Sequence, residues 1–74
     1  MMMNNAVLIS EYNSTDGYGS KKKAIVSKDN KGYEIDFYEN EEYVHSVYYT
    51  DKSLHYVEDA AENYVQGFTN IKDF

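Results

Sequence analysis

Between Gly32 and Asn40 the side chains alternate: Tyr33, Ile35 and Phe37 fall on one side, Glu34, Asp36 and Tyr38 on the other. A period of two marks a strand with one face on a core and one face toward water. A chain holding such a strand is not all-helical, and the runs on either side decide what it pairs with. Before it, KKKAIVSK (residues 21–28) reads as a strand, and KDNKG places Gly32 for a positive-φ position in a hairpin turn. After it, ENEE makes a second turn, and YVHSVYYT is a third strand rich in β-branched and aromatic residues.

The two turns set a register. Pairing Lys28 with Tyr33 puts Val26 opposite Ile35 and Ala24 opposite Phe37, all on one face. Pairing Tyr38 with Tyr43 sends Val44, Ser46 and Tyr48 to that same face, and Tyr43, His45, Val47 and Tyr49 to the other. A one-residue bulge swaps the two sets, and their apolar content is comparable, so the third register stays open. In either case the sheet face away from the helix keeps two or three large side chains.

TDKSLHYVEDAAENYVQGF is a helix with its own start and stop. Asp51 or Ser53 caps it. Leu54, Val57, Ala61, Tyr64, Val65 and Phe68 form one stripe, with His55, Glu58, Asp59, Glu62, Asn63 and Gln66 opposite. Gly67 ends it in a left-handed position. The expected fold is α+β: a three-stranded antiparallel sheet followed by one C-terminal helix packed on one face. A short extra strand over AVLISEY (6–12) is left open. NSTDGYGS (13–20) reads as a flexible linker, so residues 1–20 form a leader and 21–74 a single β-β-β-α domain. Residues 1–5 are expected to fray and Ile71 to fold back.

Composition limits what such a fold can do. Seventy-four residues hold one small domain with a thin core. With no cysteine, neither a disulfide nor a thiolate metal site reinforces it. Nine tyrosines are too many to bury, and an aromatic ring with a polar tip suits half-buried and interface positions. The net charge is −6, and arginine is absent. Residues 33–74 carry ten acids against two lysines, which disfavours direct contact with duplex DNA. No apolar run spans a bilayer and the MMMNN start lacks the parts of a secretory signal, so a cytoplasmic location is expected.

KGYEIDFYENEEYVHSVYY followed by HYVEDAAENYVQGF resembles a group of small uncharacterised proteins of myoviruses that infect marine cyanobacteria. In these a Y-x-[VI]-x-F strand leads into a HYAEDVAENYxxG-type helix. The resemblance covers roughly Lys23 to Phe68, and its most specific part is His55 to Tyr64 with Gly67. It implies a phage-encoded accessory protein acting in the host cytoplasm, and carries no activity with it.

Each chemical candidate has a plainer reading. His55, Glu58 and Asp59 share a helix region, but zinc needs three or four ligands and the other histidine, His45, sits on a strand. Asp36 and His45 would be cross-strand neighbours in the unbulged register, with no nucleophile or oxyanion donor beside them. TDGYGSKKK lacks the spacing and the following helix of a phosphate loop. No metal, cofactor or catalytic residue is expected. Two leads remain. The acids Glu34, Asp36, Glu39, Glu41, Glu42, Glu58, Asp59 and Glu62 suit a basic partner and, at the extreme, imitation of nucleic-acid phosphates. The Tyr-rich sheet face suits a protein contact or a homodimer. The expectation is therefore a non-catalytic protein-binding module whose contact surface is Glu34, Asp36, Tyr38, Tyr43, His45 and Tyr49, with acidic mimicry of nucleic acid as the alternative.

Overall fold

The computed structural model describes residues 6–68. In chain order it contains β1 (Val7–Thr15), β2 (Lys21–Lys28), β3 (Tyr33–Glu39), β4 (Glu42–Tyr49) and α1 (Leu54–Val65). The strands form one antiparallel meander in the order β1-β2-β3-β4. α1 packs on one face of it, chiefly over β2 with flanks on β1 and β3. The expected fraying of residues 1–5 and the fold-back of Ile71 lie outside the described residues. No helix among the described residues is long and apolar enough to cross a membrane.

The N-terminal strand left open by the sequence forms, making the sheet four-stranded, and it is longer than the sequence suggests. Asn13, Ser14 and Thr15, read as linker, continue β1 and pair with Lys23, Lys22 and Lys21. What remains, residues 16–20, is a tight hairpin turn. The Asp16 carboxylate accepts from the backbone N–H of Tyr18 at 2.8 Å and of Ser20 at 2.9 Å, and Gly19 takes φ +85°. Those backbone N–H donors hold the Asp16 carboxyl below its ordinary value, Ser20 first and Tyr18 next. β1 therefore lengthens the sheet sideways and does not roof its second face.

The β2–β3 pairing is the one expected: Lys28 with Tyr33, Val26 with Ile35, Ala24 with Phe37. Gly32, however, has no positive φ. It is glycine because a Cβ there would lie 2.1 Å from the Tyr49 carbonyl oxygen. The turn itself is held by Asp29, whose carboxylate accepts from the N–H of Lys31 at 2.8 Å and of Gly32 at 3.0 Å. The hairpin turn with two positive-φ residues in succession is the next one, with Asn40 at φ 52° and Glu41 at 72°.

β4 settles the open register through a bulge. Tyr38 pairs with Tyr43, but the next pair is Phe37 with His45, so Val44 has no counterpart on β3. From there His45, Val47 and Tyr49 share the face of Phe37, Ile35 and Tyr33, while Ser46 and Tyr48 share that of Asp36 and Glu34.

The core is small and lies between sheet and helix: Ala24, Val26, Ile35, Phe37, Val57, Ala61, Tyr64 and Val65. Each large apolar side chain fully buried here stabilises the fold by about 1.5–3 kcal/mol. Tyr64 joins the two layers. Its ring meets Phe37 edge-on at 4.6 Å, and its hydroxyl donates to the Tyr38 carbonyl at 3.2 Å. The helix starts at Ser53, whose Oγ accepts from the Tyr56 N–H at 3.2 Å. It stops at Gly67, φ +85°, with the Gly67 N–H on the Tyr64 carbonyl and the Phe68 N–H on the Asn63 carbonyl. Of the expected stripe, Leu54 is half-buried against the core and Phe68 is exposed beyond the cap.

Candidate protein-interaction face

Alternation along the four strands gives the sheet a second face, and no described element covers it. On β3 that face carries Glu34, Asp36 and Tyr38, and on β4 it carries Tyr43, Ser46 and Tyr48. On β2 it carries Lys23, Ile25 and Ser27. Rows on one face of a strand are about 6.8 Å apart, two residues of rise. Read across β3 and β4, the rows are Tyr38 with Tyr43, Asp36 with Ser46, and Glu34 with Tyr48. The Tyr38–Tyr43 pair therefore stands one row from Asp36, and Tyr48 stands beside Glu34.

The sequence-expected contact set divides between the two faces. Glu34, Asp36, Tyr38 and Tyr43 are together on the open face, and His45 and Tyr49 are not. The Val44 bulge turns both to the helix side, where His45 is exposed and Tyr49 half-buried against the Tyr56 ring at 5.8 Å. Burial, and to a lesser degree the neighbouring Tyr56, pushes the Tyr49 phenol up. The expected Asp36–His45 neighbourhood does not form, since Asp36 stands opposite Ser46. Ser46 and Tyr48 are the residues that sequence reasoning left off this face. The signal for Ser46 was Asp36 itself, a carboxylate in mid-sheet that needs a donor opposite.

Hydrogen bonds tie this face together. Ser46 Oγ donates to Asp36 at 2.6 Å and is 2.8 Å from the Tyr43 hydroxyl. The Tyr48 hydroxyl donates to Asp29 in the β2–β3 turn at 2.5 Å. That bond favours the neutral phenol and pushes Tyr48 up to about 12, while holding the Asp29 carboxyl below its ordinary value. Tyr38 and Tyr43 meet edge-to-face at 5.9 Å, and Lys23 Nζ lies 5.0 Å from the Tyr38 centroid. Glu34 is pushed above its ordinary value, first by burial and then by Asp36, whose carboxyl is close enough to share a proton with it. Tyr43 and Tyr48 remain 60% and 44% exposed, so anchored hydroxyls leave their rings open.

The other acids lie elsewhere. Glu39, Glu41 and Glu42 crowd the β3–β4 turn, and Glu58, Asp59 and Glu62 are on α1. Glu58 accepts from Ser10 Oγ of β1 at 3.0 Å. Glu41 pairs with Lys21 at 3.7 Å, both well exposed, a contact worth little in water. Among the described residues no three His, Asp or Glu side chains form a group able to hold a metal ion. One shallow cleft of about 170 Å³ lies along the β1–β2 pair near its turn, lined by Asn13, Thr15, Lys21, Lys23 and Glu41 among others. It mixes hydroxyls and lysines with one acid.

No protein-family model, no curated protein and no solved structure matches this chain.

Proposed function

We propose that this chain is a non-catalytic protein–protein interaction module that engages a protein partner through the open face of its sheet. The observation that supports this most is the exposure of Tyr43 and Tyr48 beside Glu34 and Asp36 on a face no described element covers. Tyrosine rings give large contact area at small entropic cost, and interface centres are enriched in them. On the resemblance to cyanophage accessory proteins, the partner belongs to the host or to the phage.

Acidic imitation of nucleic acid is the second reading. It draws on the charge of −6 and on the ten acids of residues 33–74. It ranks lower because Glu34 and Asp36 lie on the open face, Glu39, Glu41 and Glu42 at the β3–β4 turn, and Glu58, Asp59 and Glu62 on the helix, whereas a phosphate backbone is one continuous row.

Capture from lysate of the suspected host, with the intact chain and with the Tyr43→Ala/Tyr48→Ala variant as baits, tests the reading. A specific protein that the intact chain retains and the double variant loses supports it. Identical recoveries for both baits reject the open face as the contact. DNA separates the two readings. A mimic is displaced by DNA, whereas the open-face contact is lost with the tyrosines and is not displaced by DNA.

A further inference from the structure

The open face leaves two rings and two carboxylates without the cation that such groups attract. The chain's own lysines show what its tyrosines accept: Lys22 over Tyr64 at 5.4 Å, Lys23 over Tyr38 at 5.0 Å, Lys28 over Tyr33 at 5.7 Å and Lys52 over Tyr56 at 4.9 Å. Among the described residues no lysine takes the Tyr43 or Tyr48 ring, and none forms an ion pair with Glu34 or Asp36. These four side chains occupy three consecutive rows of one surface.

Resting on the reading that the open face is the contact, we infer that its occupant is a basic segment of the partner, which seats an arginine or lysine side chain between the Tyr43 and Tyr48 rings on the carboxylates of Glu34 and Asp36. Charge complementarity carries the choice. Two carboxyls within hydrogen-bond reach repel when both are ionised, and a cation between them turns that repulsion into attraction. The rings add a quadrupole at each end of the same patch, Tyr43 in the row next to Asp36 and Tyr48 beside Glu34. Their orientation is held in advance by the Tyr43–Ser46 and Tyr48–Asp29 hydrogen bonds, so little ordering remains to be done on binding. A guanidinium fits better than an ammonium, because it stacks on a ring and bonds a carboxylate in the same plane. A second copy of the chain fits worse, since it brings another six negative charges.

The test is an NMR titration of the full chain with hexa-arginine, hexalysine and hexaglutamate. The cationic peptides are expected to shift resonances of residues 34–48 on the open face saturably, arginine more tightly than lysine, and hexaglutamate to shift none. Glu34→Gln/Asp36→Asn should weaken hexa-arginine binding about tenfold or more. Asp59→Asn/Glu62→Gln, an equal charge change on the outer face of α1, should weaken it about twofold or less. Tyr43→Ala and Tyr48→Ala should each cost about two- to fivefold. Equal losses for the two charge variants, or shifts centred on α1, overturn the inference, because the peptide then senses net charge alone. Self-association through this face that hexa-arginine does not disrupt also overturns it. A natural partner that is lost with Tyr43→Ala/Tyr48→Ala yet resists displacement by hexa-arginine overturns the basic occupant and leaves the interaction reading standing. A partner indifferent to the tyrosines removes that reading itself.

Discussion

The two faces of this sheet are built from the same strands, often from adjacent residues, and they are stabilised in different ways. Phe37 is fully buried under Tyr64, while its neighbour Tyr38 lies on the opposite side with a lysine over its ring. The helix side holds together by removing apolar area from water, with a few polar contacts such as the Tyr64 hydroxyl bond at its margin. The open side is organised by hydrogen bonds that stay wet: Tyr43 to Ser46 to Asp36, and Tyr48 to Asp29. A thin domain can keep a polar, aromatic face ordered without burying it, provided each hydroxyl has a partner. What is held this way is surface geometry rather than fold stability, as the proposed binding role would require.

The largest expected contrast is between adjacent residues. Phe37→Ala should cost about 3–5 kcal/mol, which for so small a domain is close to its whole stability. Tyr38→Ala should cost less than about 1 kcal/mol. Urea denaturation of the two variants checks this, and comparable losses would erase the distinction between the faces. Gly32→Ala should come next, at about 1–3 kcal/mol, because its Cβ meets the Tyr49 backbone and pushes β4 away from the β2–β3 turn. Thermal denaturation with a loss of amide protection in β4 is the expected readout.

Smaller effects sharpen the comparison. Tyr64→Phe removes the one hydroxyl that ties α1 to β3 and should cost about 1 kcal/mol in chemical denaturation. Ser46→Ala should cost about as much or less, yet change the open face more visibly. Ser46 is the donor that counters the rise of Glu34, so its loss should push Glu34 further up in a carboxyl NMR titration.

The two faces of the pH profile have opposite signs. Glu34 titrates above its ordinary 4.5 in the folded chain, so the fold binds its proton more readily than the unfolded chain does. Its contribution therefore falls as pH rises from 4.5 through the folded value. Asp29 titrates below its ordinary 3.8, so its contribution is complete above 3.8 and is lost as pH falls through the lower folded value. Tyr48, raised to about 12 from 10.0, loses its contribution as pH rises between those values. Site-resolved titration of both carboxyls and the phenol, beside stability measured across pH, checks all three signs.

Much of the helix side was legible because its residues have one role each. The Tyr33–Ile35–Phe37 alternation, the pairing with Val26 and Ala24, a cap at Asp51 or Ser53 and the Gly67 stop all follow from local chemistry. The open side was legible only in part. Tyr43 to Tyr49 offers comparable apolar sets on either alternation, so a single extra residue at Val44 decides which set faces the core, and pattern alone does not locate it. Asn13–Thr15 carry turn-forming side chains, and only their pairing with Lys21–Lys23 makes them strand. Gly32 shows the same limit, since its reason is a contact with Tyr49, seventeen residues away along the chain.

The most direct test of the account is hydroxyl-radical footprinting of the dilute, isolated chain, read residue by residue by mass spectrometry. Tyr43 and Tyr48 should react at roughly half the rate of the fully exposed Tyr18 at the β1–β2 turn, and Tyr64 and Phe37 should be protected. Protection of Tyr43 and Tyr48 to the level of Tyr64 would mean that the second face of the sheet is already covered, and would contradict the claim that it is held open for a partner.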